Sequence, residues 1–400
     1  MNLDKEEHTL RSADGGRIVV VGAGPAGLST ARAYRAAGGK GPVTLVGSEP
    51  RLPYERPPLT KDFLRGETRL EELTIEQRDW FGAQEIELQL GQRVTAIDAT
   101  HGVVTLADAQ RLDADAIVLA TGSEPVVPDL PGADHPRVMT MREIPDSEAI
   151  AERSAEGRVL VIGSGFIGCE VAASLALKGV ETIVISQERL PQVARLGIDA
   201  GKKIAGWLSS LGVQFVGDAV VGAVHDGRVV ELEDGRRFAG SAVVVGAGAE
   251  PRGELAAEAG LAMHEGAVVV DHSMRTSSSA CPVYAVGDIA YAFNPAAGRH
   301  LRVEHWGDAL AHGVVAGQAL AGANGAWEQV PGFWSTIGTQ ALKYAAWGDG
   351  HEAERLFDYP DGAFTIWYLR AGKTVGVLTH ERDGDYELGL SLIAEGGSPP

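Results

Sequence analysis

Cysteine is nearly absent from this 400-residue chain: Cys169 and Cys281 are its two, and they form no C-x-x-C. That excludes a disulfide-stapled scaffold and the usual dithiol redox centre. Positive charge is also short. Lys and Arg number 35 against 54 Asp and Glu, and the formal net charge of -19 disfavours non-specific nucleic-acid binding. An acidic partner would need a local basic patch. No apolar run reaches the length of a membrane span, and Met1 to Arg17 is charged without an apolar h-region, so it reads as a loose tail and not a signal peptide. No dense cluster of His, Cys, Asp and Glu suggests a metal. What is left is a cytoplasmic protein of two or three domains, with 44% apolar residues to build a core.

Glycine is what the chain has in plenty, 52 residues without a collagen period. Two groups of them are placed alike. Gly22-Ala23-Gly24-Pro25-Ala26-Gly27 follows the strand-like Ile18 to Val21, and Gly163-Ser164-Gly165-Phe166-Ile167-Gly168 follows Val159 to Ile162. In the G-x-G-x-x-G pattern the first glycine permits a tight turn, the second lets a pyrophosphate approach the backbone, and the third lets the helix pack on its strand. The helix N-terminus then offers unpaired N–H groups to the phosphates. One such pattern is weak evidence. Two in strand-turn-helix context imply two dinucleotide sites in one chain, and the usual reason to hold two is to pass electrons between them.

Strand-like runs alternate with Ala-rich helical patterns through most of the chain, which argues for parallel α/β layers. The first unit reads as strand 17–21, phosphate turn, helix to about Ala37, then strand Val43 to Val46. Glu49 follows at the distance where an acidic side chain meets a ribose hydroxyl, a solvated loop glutamate being the alternative. Next, Pro57 and Pro58 predict an extended path with no helix until after Leu59.

The segment Tyr54-Glu55-Arg56-Pro57-Pro58-Leu59-Thr60-Lys61 resembles the Y-x-R-P-P-L-S-K stretch of FAD-dependent, NAD(P)H-dependent ferredoxin and rubredoxin reductases that serve Rieske-type oxygenases and cytochromes P450, with Thr60 for Ser. The resemblance covers most of the chain. Ala120-Thr121-Gly122 looks like the turn closing the FAD domain. Val245-Gly246-Ala247-Gly248 is similar to the segment where the chain returns to it, and Gly287-Asp288 matches the flavoprotein G-D pattern. By resemblance Arg56 lines the flavin, Lys61 lies near its N5 edge, and Asp288 accepts hydrogen bonds from the ribityl chain. Glu170, two residues beyond Gly168, is implied to pair with Lys61 where the nicotinamide arrives. Arg302-Val303-Glu304-His305-Trp306 looks like the R-x-E-x-W opening of a helix facing the flavin pyrimidine ring, with Trp306 over the flavin edge. The plainer alternatives are a surface lysine at 61, a helix cap at 288, a dipole-favoured glutamate at 170 and a core tryptophan at 306.

The fold implied is α/β, two Rossmann-like dinucleotide-binding domains of the glutathione-reductase type plus a small α+β C-terminal domain. The boundaries expected are 1–122 and 248–328 for FAD, 123–247 for NAD(P), and 329–400 for the C-terminal domain. The FAD set comprises Gly22, Gly24, Pro25, Ala26, Gly27, Glu49, Arg56, Lys61, Thr121, Gly122, Gly287, Asp288, Glu304, His305 and Trp306. The NAD(P) set comprises Gly163, Gly165, Phe166, Ile167, Gly168, Ser186, Arg189, Arg195, Gly246 and Gly248. Lys61 and Glu170 are the catalytic candidates. Ser186 ends a strand where NADH-using relatives place an acid, and Arg189 or Arg195 could pair with a 2′-phosphate, which leans toward NADPH; Glu188 cuts the other way.

Pro331-Gly332-Phe333-Trp334-Ser335 resembles the family's P-x-F-W-S motif, but Thr336-Ile337-Gly338-Thr339-Gln340 departs from the acidic or amide pair and second aromatic that follow it. That puts the acceptor in doubt. The activity implied is electron transfer from NADH or NADPH through FAD to a ferredoxin-type iron–sulfur protein, by a monomer or homodimer without nucleic-acid or membrane partners. An NAD(P)H oxidase or a quinone or nitro-compound reductase is compatible with the same motifs. A disulfide reductase would need a cysteine near the flavin, and none precedes Cys169. A non-enzymatic FAD protein of the apoptosis-inducing-factor kind is the remaining alternative. The tail from Ala394 to Pro400 reads as disordered.

Overall fold

Four apolar residues in a row, Ile18–Val21, make a strand buried at every position, as a parallel sheet covered on both faces requires. In the computed structural model, which describes residues 15–278 and 280–400, most of the tail expected at Met1 to Arg17 lies outside the described residues. The chain forms two compact units. The first comprises 15–55, Thr74–Glu124 and Glu250–Gly332; the second comprises Arg56–Leu73, Pro125–Ala249 and Phe333–Pro400.

In the first unit the sheet runs in the order Val283–Ala285, Ala116–Leu119, Ile18–Val21, Val43–Gly47, Ile86–Leu90, all parallel. Pro25 starts the helix Pro25–Ala36, where its missing N–H costs nothing. Against that helix lies Trp306–Leu320. The approach is close because Gly313 and Gly317 have no side chain: a Cβ at either would collide with the backbone oxygens of Ala26 or Thr30. Two smaller sheets complete the unit, Val94–Asp98 with Val103–Leu106 and Arg111–Asp113, and Ala267–Val270 among its neighbours up to Arg299–Arg302.

The second unit repeats the plan. Its parallel sheet runs Gln214–Val216, Thr182–Ile185, Val159–Ile162, Ala242–Val245, Val138–Met139, with the helix Phe166–Leu177 after the glycine turn. Below it, Val221–His225, Val229–Leu232 and Arg237–Ala239 form an antiparallel sheet that shares a core with the parallel one through Val224, Val230 and Leu160. The C-terminal segment is a five-stranded sheet, Gly332–Ile337 to Lys373–His380, carrying the helix Asp383–Glu395.

Two local expectations fail. Pro57 and Pro58 open a 3-10 turn, Pro57–Thr60, instead of an extended run, because a fixed φ near that of a helix suits the first turn, where no N–H is needed. The segment after Ala394 is ordered. Gly396 takes a left-handed φ of 66° as the helix cap, Gly397 N–H donates to Leu392 O at 2.8 Å, and Thr374 N–H donates to Gly397 O at 2.8 Å.

Candidate functional site

The first glycine turn is shaped by what cannot fit. Gly22 has φ +118°, and a Cβ there would run into the carbonyl of Ala120; a Cβ on Gly27 would run into the carbonyl of Gly22 itself. Gly24 differs. A Cβ on it would meet no protein atom within 4 Å, so the turn leaves open space at the position a pyrophosphate needs, beside the N-terminal amides of Pro25–Ala36. The residues present therefore fit a dinucleotide phosphate.

Around that turn the first unit gathers most of the residues expected to hold the flavin nucleotide. Gly287, at φ +75°, starts the 3-10 turn Gly287–Ile289, and a Cβ there would sit 3.0 Å from Ala26 Cβ. Asp288 accepts a hydrogen bond from Ser123 Oγ at 2.7 Å. Thr121 Oγ1 donates to Arg252 O at 2.9 Å, and Arg252 N–H returns a bond to Gly122 O. Glu49 accepts from Tyr54 OH at 2.8 Å. At the start of Trp306–Leu320, Glu304 pairs with Arg302 at 3.1 Å, His305 occupies the N-cap position without a side-chain cap bond, and Trp306 is half-buried. The fully buried tryptophan of this unit is Trp327.

Sequence reasoning missed the polar cluster behind Trp306. Asp308 is buried and accepts from Gln329 Nε2 at 2.8 Å and Trp327 Nε1 at 3.3 Å, and it shares a bond with His305 Nδ1. His312 Nδ1 accepts from Gly287 N–H at 3.3 Å, while its Nε2 has no hydrogen-bond partner. Burial pushes the His312 pKa down to about 4, so this imidazole is neutral at pH 7 and braces the turn that carries Asp288. Small polar residues at helical spacing gave no hint of it.

The second turn has the same backbone. Gly163 has φ +104° with a Cβ barred by Gly246 O, Gly168 is barred by Gly163 O, and Gly165 would meet only Gly246 O, at 3.7 Å. Gly246 N–H donates to Ile162 O, and Gly248, at φ +112°, accepts from Val126 N–H. Phe166 packs edge-on against Phe333, ring centroids 4.7 Å apart, and Ile167 is exposed. Ser186 is buried, its Oγ 2.8 Å from Ser164 Oγ. Arg189 and Arg195 are exposed. Glu188 accepts from Ala194 N–H at 3.0 Å and from Ser164 Oγ at 3.4 Å.

Lys61 and Glu170 meet within this unit at 2.6 Å. Glu170 is 4% exposed, and four donors converge on it. Lys61 Nζ and Thr60 Oγ1 (2.5 Å) reach Oε2; Ser335 Oγ (2.7 Å) and Thr336 N–H (3.4 Å) reach Oε1. A buried charge pair is tolerable only when the remaining lone pairs are satisfied, and here they are. Lys61 Nζ also donates to Pro57 O at 3.0 Å, and Arg56 Nη1 reaches Arg142 O at 2.7 Å, which fixes both ends of the 3-10 turn. Thr60 thus supplies the hydroxyl that the family's Ser would. Ser335, quoted for its motif alone, proves to be a ligand of the carboxylate. The departure that follows it is a tight turn between strands, with Gly338 at φ +65°.

Neither cysteine can do redox work of the thiolate kind. Cys169 is fully buried, with its pKa driven far up by burial and then by the nearby Glu170 and Glu188 charges; burial lifts Cys281 to about 11. No group of His, Cys, Asp and Glu fit to hold a metal occurs among the described residues, and no helix there is long and apolar enough to cross a membrane.

The sequence pattern of the pyridine nucleotide-disulphide oxidoreductases matches residues 16–313. This chain belongs to that family. It is 33% identical over 381 residues to the ferredoxin reductase component of chlorobenzene dioxygenase from a Cupriavidus species, covering 94% of this chain and 92% of the relative. A putidaredoxin reductase of Pseudomonas putida is 31% identical, at 94% and 92% coverage. Among solved structures, a ferredoxin reductase of Rhodopseudomonas palustris superposes with a TM-score of 0.90 at 28% identity, over 96% of this chain and 95% of that one. The reductase of a covalent putidaredoxin reductase–putidaredoxin complex superposes at 0.89, again 28% identical, over 95% and 93%. The fold is the α/β fold of this family, and the chain is a flavoprotein oxidoreductase using FAD and NAD(P)H.

Proposed function

We propose that this protein draws electrons from NAD(P)H and delivers them singly to a ferredoxin-type iron–sulfur protein. The observation that carries the reading is the duplication of the phosphate turn: two backbones with the same barred and open glycines, one beside Asp288, the other beside Glu170. Bound FAD supplies the chemistry the side chains lack, accepting two electrons as hydride and returning them one at a time. In this reading the first unit holds FAD, with the Gly22 to Gly27 turn on its pyrophosphate and Asp288 on its ribityl hydroxyls. The second unit holds the nicotinamide nucleotide through Gly163 to Gly168. Lys61 presents an ammonium fixed by Glu170, and Thr60 and Ser335 keep that carboxylate from rotating away. The ferredoxin partner follows the names of the relatives, which are reductase components of dioxygenase and P450-type redoxin systems. It acts in the cytoplasm, as a monomer or homodimer.

The test compares acceptors. Purified yellow protein is given NADH or NADPH with an oxidised ferredoxin, a quinone, or oxygen alone. Fastest turnover with ferredoxin supports the proposal; a quinone or oxygen matching it would replace ferredoxin as the acceptor.

A further inference from the structure

The two nucleotide-binding halves can be aligned by strand register alone. Val21 pairs with Val46 in the first sheet, and Ile162 pairs with Ile185 in the second, each being the last residue before its glycine turn. Counting on, Glu49 lies three residues beyond Val46, and Glu188 lies three beyond Ile185. Ser186 is therefore the counterpart of Gly47, not of Glu49. The contacts agree. A Cβ on Gly47 would lie 2.7 Å from Ala23 Cβ, and Ser186 Oγ lies 2.8 Å from the Oγ of Ser164, the residue corresponding to Ala23. In both halves the residue after the last paired valine or isoleucine, Gly47 or Ser186, lies directly against the turn, and the acid comes two residues later.

We infer that Glu188 is the carboxylate that reads the adenosine ribose of the nicotinamide nucleotide, and that it selects the unphosphorylated nucleotide, NADH, over NADPH. The inference rests on the second turn being a nucleotide site. Ser164 ties the Glu188 carboxylate to the glycine turn itself at 3.4 Å, and Ala194 N–H, in the short helical turn that precedes the break at Gly197, ties its other oxygen at 3.0 Å. A carboxylate has about four acceptor sites, and these two bonds leave room for a pair of ribose hydroxyls. A phosphate on the 2′ oxygen would remove one donor and set a like charge against the carboxylate. Arg189 and Arg195 are exposed and are not held at the turn. Among the described residues no hydrogen bond ties either guanidinium to the turn 163–168, and Arg195 lies near the half-buried Tyr344, whose pKa burial raises and the Arg195 charge partly brings back. The missing acid at the strand end, which leaned the sequence toward NADPH, is a two-residue displacement and not a loss.

Calorimetric titration of the flavin-loaded protein with ADP-ribose and with 2′-phospho-ADP-ribose tests this without turnover. ADP-ribose is expected to bind tighter by at least about tenfold, what one hydrogen bond to a charged group contributes. Glu188→Gln should erase most of that ratio, Glu188→Asp should keep its sign, and the NADH to NADPH ratio of kcat/KM should follow. The inference is overturned if 2′-phospho-ADP-ribose binds as well or better to the unaltered protein, or if Glu188→Gln leaves the ratio where it was. Binding of neither ligand would overturn the nucleotide-site reading itself.

Discussion

The two glycine turns share a backbone and differ in what their helices carry. Both place the first glycine against a carbonyl from the neighbouring strand, Ala120 or Gly246, and the third against the carbonyl of the first. Two residues past the third glycine the halves part. In the first unit the position is Ser29, whose hydroxyl donates to Leu310 O at 2.8 Å and seats the crossing helix; in the second it is Glu170, buried under four donors. One position serves packing in one half and charge placement in the other. In both halves the turn leaves the same open space, and the second turn of the helix sets what lies beside it.

Breaking the turns should separate the halves most sharply. Gly22→Ala and Gly163→Ala both force a Cβ into a carbonyl at positive φ. The first should leave protein with little bound flavin. The second should leave it yellow and reducible by dithionite, yet unresponsive to NADH, as flavin-to-protein ratio and anaerobic bleaching would show. Removing the buried charge comes next. Glu170→Ala strands Lys61 and should cost about 3 kcal/mol of stability in denaturant unfolding, whereas Ser29→Ala should cost about 1 kcal/mol.

A third contrast turns on pH. His312 is neutral when folded because burial lowers its pKa from 6.5 to about 4, so an unfolded chain binds its proton first. The stability it brings is present above pH 6.5 and drains as pH falls toward 4, on the order of 3 kcal/mol in all. Chemical denaturation across that range should show a loss that His312→Asn reduces. Ser335→Ala, which strips one donor from the Glu170 carboxylate, should cost about 2 kcal/mol and slow reduction by NADH more than it weakens nucleotide binding. The smallest effect is expected from thiol reagents. With Cys169 buried and protonated, alkylation of the native protein should leave turnover unchanged.

Much of this was legible in the chain because glycine placement is a backbone requirement. The strands Ala116–Leu119, Val159–Ile162 and Thr182–Ile185 fall where their apolar runs do, and the helix Trp306–Leu320 starts at the Trp306 that closes the R-x-E-x-W segment. Apart from the Lys61–Glu170 pair, which the resemblance implied, contacts between distant segments could not be read. Ser123 on Asp288, Ser335 on Glu170 and Trp327 on Asp308 join residues 19 to 165 apart in sequence, and a lone serine or aspartate advertises no partner. The proline pair misled for a local reason, since a fixed φ serves a 3-10 turn as well as an extended chain. The reading of Ser186 counted spacing from the strand end, whereas strand register makes Ser186 the counterpart of Gly47 and Glu188 that of Glu49.

The most direct test mixes the yellow protein under anaerobic conditions with limiting NADH and an excess of oxidised ferredoxin, and counts both products. Two ferredoxins reduced for each NADH consumed would show hydride arriving as a pair and electrons leaving singly. Consumption of NADH with ferredoxin still oxidised, or a purified protein that neither contains nor takes up flavin, would contradict it.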